Sequence, residues 1–189
     1  MEQSYSRIYR ILHWTIAITF ILIIITIFLR NTWLSKDNLA GIVENYFKDT
    51  DRPLSKDQSI ALAKQIRAPM WQWHIYLGYV LIGLFWSRFI FTVLRKIRIQ
   101  NPFNKTLSTK EKFQKWSYVV FYICVAISLF TGIFMENGPK EFKGLLKEIH
   151  VLSLYYLIPY IALHIGGILM AEFTNPKGIV SRMINGGSK

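Results

Sequence analysis

Nineteen consecutive residues, from Ile11 to Leu29, carry no charge. Three stretches of similar length follow, at about 71–94, 117–135 and 149–171, and the first of these three holds one charge, Arg88. A hydrocarbon core about 30 Å thick takes roughly 20 apolar residues per helix. In lipid each backbone N–H and C=O must find its partner inside the protein, which leaves helices as the natural solution for runs this long. The chain is therefore expected to be all-α: an integral membrane four-helix bundle, a single domain over residues 1–189 with an outer connection at about 30–70. Ile11–Leu29 is too long for the core of a signal peptide and no A-x-A-like site follows it, so it is expected to be a span.

Composition matters here mainly through where the charges fall. The formal charge of +12 could suggest nucleic acid, but the basic residues flank the apolar runs, as in a chain lying against anionic lipid. With four crossings both termini share one side. Residues 1–10, 88–115 and 172–189 carry 13 Lys and Arg against 10 on the other side. Seven of the 13 crowd into RKIRIQNPFNKTLSTKEKFQK, residues 95–115. The positive-inside rule then places both termini in the cytoplasm. The one cysteine, Cys124, rules out an internal disulfide and a cysteine-built zinc or iron–sulfur site. It reads as a small buried hydrophobe. In the outer connection SKDQSIALAKQIR reads as a short amphipathic helix with a Ser55–Gln58 capping box. NLAGIVENYF is a weaker helical candidate, and Pro69 is expected to mark the entry to the second span.

All four histidines of the chain, His13, His74, His150 and His164, lie in the spans. Titratable residues at membrane depth are costly and mark functional sites. The topology sorts them by height: His13 and His164 near the inner face, His74 and His150 near the outer face. Each height then has two imidazoles from two different helices. That arrangement suits a b-type haem, whose iron takes a neutral imidazole on each side. Two heights imply two haems, paired His13/His164 and His74/His150. On an unbroken fourth helix, His150 and His164 would point within about 40° of one another and sit about 21 Å apart.

Other residues join this scheme. Arg88, fourteen residues after His74, faces the same side at the inner height, where it could pair with a propionate or the edge of a quinone. Snorkelling to the inner headgroups is the competing account. Arg10 is a second inner candidate, or an interfacial anchor. Gly78, one turn past His74, and Gly166 and Gly167, just past His164, would let a flat ring or another helix approach closely. Pro159 is expected to kink the fourth span. The spans contain no internal Asp or Glu, so a zinc transporter or a proton pump lacks its carboxylates.

YSRIYRILHW at the start, H-x3-G-x9-R from His74 through Gly78 to Arg88, and H-x13-H from His150 to His164 together resemble the bacterial cytochrome b561 family, which includes the b-type subunits of nickel–iron hydrogenases. The resemblance implies a four-helix inner-membrane cytochrome with two b haems held by the four histidines, with Arg88 where the family often has an arginine. It implies electron transfer between quinone, ubiquinone or menaquinone, and a partner on the periplasmic side. Alternatives within the family are a superoxide:quinone oxidoreductase and a membrane anchor of a hydrogenase-like complex. A non-redox structural membrane protein is the remaining alternative. The 30–70 connection is longer than in simpler members and is the place where a periplasmic redox protein would dock. Its seven basic and five acidic residues leave it only mildly positive, which gives little electrostatic capture of superoxide.

Overall fold

The computed structural model describes residues 6–94, 103, 105–174 and 178–186. Among them every regular element is helical: α1 (Arg7–Asn31), α2 (Lys36–Phe47), α3 (Lys56–Val93), α4 (Thr109–Asn137), a 3₁₀ turn (Lys140–Phe142), α5 (Lys143–Val151), α6 (Ser153–Thr174) and α7 (Ile179–Asn185). Four stretches are long and apolar enough to cross a membrane: Arg7–Asn31, Lys56–Val93, Thr109–Asn137 and Lys140–Phe173. The protein is thus an all-α, multi-pass protein of the lipid bilayer, and each predicted span falls on one of these stretches, the second overrunning its end by one residue. The chain divides into two compact units, Leu12–Ser87 and Met1–Ile11 with Arg88–Lys189.

In the unit Leu12–Ser87, α1 is built inside out relative to a helix of a water-soluble protein. Its buried residues are Leu12, Thr19 and Thr26, seven apart and so on one face. Ile18, Ile21, Ile25 and Phe28 are exposed on the opposite side, where lipid is the solvent. The buried hydroxyls are satisfied by their own helix: Thr19 Oγ1 donates to the Thr15 carbonyl at 2.8 Å and Thr26 Oγ1 to the Ile23 carbonyl at 2.6 Å. That local bond lets threonine sit at membrane depth without an orphaned donor.

The connection between the first two spans is mostly helix. Ser35 caps α2 by accepting the Asn38 N–H at 3.3 Å, and Ala40 and Val43 form its buried side. The expected capping box opens α3: Gln58 N–H donates to Ser55 Oγ at 3.3 Å and Ser55 N–H to Gln58 Oε1 at 2.9 Å. From there α3 runs without interruption to Val93, with Pro69 inside it. The expected boundary at Pro69 is therefore corrected. A proline removes one backbone donor, which would have served the Gln65 carbonyl, and the helix-forming sequence on both sides carries the helix across that gap.

In the second unit, α4 starts with a capping box that the sequence reading missed: Glu111 N–H donates to Ser108 Oγ at 3.3 Å and Ser108 N–H to Glu111 Oε2 at 2.9 Å. Helix α4 packs on α5 and α6, with Val125 and Leu157 buried. Ser128 Oγ and Tyr156 Oη share a hydrogen bond of 2.8 Å. The fourth span is not one rod. It breaks at Leu152, where Leu152 N–H reaches back only three residues to Ile149 O at 3.2 Å, and Tyr155 N–H to Leu152 O at 3.0 Å. His150 thus lies on α5 and His164 on α6, and the spacing arithmetic for an unbroken helix does not apply. Pro159 lies inside α6. The short α7 ends at Gly186, whose φ of 93° is a left-handed cap that glycine adopts without strain. Residues 95–102 and 104, in the basic stretch that set the orientation, lie outside the described residues.

Candidate functional site

All four histidine side chains are half-buried. In the unit Leu12–Ser87, His13 meets the edge of the adjacent Trp14, ring centroids 5.8 Å apart at 78°. His74, on α3, is held from two directions. Its Nδ1 lies 2.8 Å from Thr26 Oγ1 of α1. Its ring lies parallel to Trp71, one turn earlier, with centroids 4.4 Å apart and planes 5° from coplanar. The other face of this column is charged: the Arg30 guanidinium sits 3.8 Å from the Trp71 ring centroid. A hydrogen bond in the ring plane and a stack against its face together fix the rotamer of His74. The cation–π contact contributes about 0.5–2 kcal/mol to holding Trp71 in place.

In the second unit His150 is fixed still more closely. Its Nδ1 lies 3.0 Å from the Ser128 carbonyl and 3.2 Å from Thr131 Oγ1, both on α4. A carbonyl oxygen can only accept, so Nδ1 carries the proton and Nε2 carries the lone pair. That tautomer is the one an imidazole needs to donate through Nε2 to a metal. Helix α4 makes room for the ring with a glycine: a Cβ built on Gly132 would lie 3.1 Å from His150 Cε1. His164 extends a stacked aromatic column within the same unit. Phe121 and Tyr160 lie 3.7 Å apart at 12°, and Tyr160 and His164 lie 5.9 Å apart at 8°.

The two arginines singled out from the sequence have different surroundings. Arg88 sits between two tyrosine rings, 5.2 Å from the centroid of Tyr9 and 5.5 Å from that of Tyr122. Arg10 reaches the far end of the chain, where its Nη1 donates to the Ile184 carbonyl at 2.6 Å and so caps the last turn of α7. A Cβ placed on Gly78, Gly166 or Gly167 would meet no described atom within 4 Å. Among the described residues no group of three or more His, Cys, Asp and Glu could hold a metal ion by itself.

The family model described as prokaryotic cytochrome b561 matches residues 4–186. The chain belongs to that family. It is a membrane b-type cytochrome of the electron-transfer kind, and the group its histidines have to suit is haem b. The donor set fits: neutral imidazole is the ligand haem iron takes, and His150 is already in the required tautomer. No curated protein and no solved structure matches the chain.

Several residues around these histidines were not singled out in the sequence. Trp71 and Tyr160 precede His74 and His164 by three and four residues, so helical spacing alone could have drawn attention to them. Thr26, Ser128 and Thr131 gave no such signal, because their role depends on which helix face meets which.

Proposed function

We propose that this cytochrome carries two b haems at two depths of a bacterial inner membrane and relays electrons between the quinone pool, ubiquinone or menaquinone, and a partner on the periplasmic side. His13 and His164 would hold the inner haem, and His74 and His150 the outer one. The reading is supported above all by His150, whose Nδ1 faces the Ser128 carbonyl at 3.0 Å and which therefore presents its lone pair on Nε2. An axial ligand bound through Nε2 needs that tautomer.

Bound haem supplies one-electron chemistry; the chain supplies position and surroundings. Trp71 and Thr26 hold the plane of His74, and Gly132 lets α4 close against His150. The Phe121–Tyr160 stack sets the plane of His164. Arg88, between Tyr9 and Tyr122, offers the cation that a propionate at the inner height requires. The apolar exposed faces keep water away and leave the two sites in a medium of low dielectric.

The test is an absorption spectrum of purified protein expressed with ample haem, together with a haem-to-protein ratio. The expected result is b-type Soret and α bands at two haems per chain. A preparation without those bands refutes the reading, and a ratio of one refutes its two-haem form.

A further inference from the structure

The geometry points to Thr26 and Thr131 as positioning residues that fix the outer histidines, His74 and His150, in the Nδ1–H tautomer and set how strongly they donate to iron. The inference rests on the haem reading above and deepens it.

Each threonine hydroxyl has one proton. Thr26 Oγ1 lies 2.6 Å from the Ile23 carbonyl, an atom that can only accept, so the proton points there. With its proton in that shorter bond, the hydroxyl turns lone pairs toward His74 Nδ1 at 2.8 Å, and the imidazole is then the donor. Thr131 repeats the device on another helix. Its Oγ1 lies 2.9 Å from the Ile127 carbonyl and 3.0 Å from the Ser128 carbonyl, so either choice directs the proton into its own helix. Its lone pairs face His150 Nδ1 at 3.2 Å. Both threonines are buried, where a hydroxyl left without a partner is costly, so the orientation is held. The same arrangement thus occurs twice, on α1 toward α3 and on α4 toward α5, each time on a histidine assigned to the outer height.

The chemical consequence follows from the polarity of the bond. An acceptor on Nδ1–H pushes electron density toward Nε2 and makes the imidazole more basic. A more basic axial ligand favours ferric over ferrous iron and lowers the midpoint potential. Thr26→Val keeps the side-chain shape and removes the acceptor, so the potential of the outer haem should rise. Outer-shell partners of metal ligands are worth roughly 10–100-fold. A change of about tenfold in the relative affinity for the two oxidation states is about 59 mV for a one-electron couple.

The experiment is a redox titration of haem-loaded protein followed at the α band. Thr26→Val is compared with Thr26→Ser, which restores an acceptor, and with Thr19→Val. Thr19 is also buried on α1, but it bonds the carbonyl of Thr15 rather than a histidine. The expected result is an upward shift of one of two potentials in Thr26→Val, return toward wild type in Thr26→Ser, and no shift in Thr19→Val. Thr131→Val should shift the same potential by less, because the Ser128 carbonyl still accepts from His150. If Thr26→Val does not accumulate, Thr26→Ala takes its place. Potentials unchanged in the position-26 variant, with haem content intact, overturn the inference and leave the haem reading standing. A shift of equal size in Thr19→Val overturns it too, since that marks a general packing effect. A wild-type protein without b-type bands removes the haem reading and this inference together.

Discussion

Gly132→Ala should separate the cofactor's hold on the protein from the stability of the fold. A methyl carbon at position 132 would lie 3.1 Å from His150 Cε1 and 3.6 Å from Nδ1, whereas ordinary contact begins at 3.4 Å. The ring must therefore retreat by about 0.3–0.5 Å to reach a comfortable separation. Its bonds have little slack: Nδ1 is already 3.0 Å from the Ser128 carbonyl and 3.2 Å from Thr131 Oγ1. A retreat of this size takes the second of these out of the hydrogen-bonding range. Overpacking of this kind costs about 1–3 kcal/mol, while alanine gains roughly 1 kcal/mol over glycine inside a helix. The net loss of fold stability is thus small, about 0–2 kcal/mol. The effect on a ligand displaced from its outer-shell partners is larger, roughly 10–100-fold in affinity. The assay is haem retention during challenge with apomyoglobin, run beside a thermal unfolding scan. Gly83→Ala serves as control, since a Cβ there meets no described atom within 4 Å. Gly132→Ala should lose about half its haem faster than wild type, with a modest change in Tm. Wild-type retention at both sites would refute the claim that His150 is a ligand held through α4.

Single-histidine variants test the pairing: His13→Ala should remove the inner haem and leave the outer, and His74→Ala should do the reverse. The haem-to-protein ratio and two-step redox titrations check this, and loss of the same haem from His13→Ala and His150→Ala would contradict the assignment. Ser108→Ala breaks the capping box on α4 and should cost about 1 kcal/mol, read as a lowered Tm with haem spectra unchanged. Arg10→Met removes the bond to the Ile184 carbonyl; hydrogen exchange over residues 179–186 should accelerate while the visible spectrum keeps its bands.

The four spans were legible because an uncharged run of about 20 residues has few alternatives, and the Ser55–Gln58 box was legible because its side-chain bonds stay within four consecutive residues. What escaped depended on competition or on tertiary contact. Pro69 looked like a boundary because proline disfavours a helix interior, yet α3 continues past it from an N-terminus thirteen residues earlier. The break at Leu152 has no glycine or proline beside it, and the nearby Pro159 drew attention to the wrong place. Ser108 and Glu111 have the S-x-x-E spacing of a cap, but it was lost in a stretch noticed for its charge. At the candidate site, the histidines were evident by type. Their tautomers were not, because Thr26 acquires its role only when α1 meets α3 and Thr131 only when α4 meets α5.

The bond from Arg10 to the Ile184 carbonyl has a practical corollary. A contact of 2.6 Å cannot be made through a bilayer, so the start of α1 and the last turn of α7 must open into the same compartment, which requires an even number of crossings. Two halves of a split fluorescent protein, one fused to each end, should therefore reassemble within a single molecule.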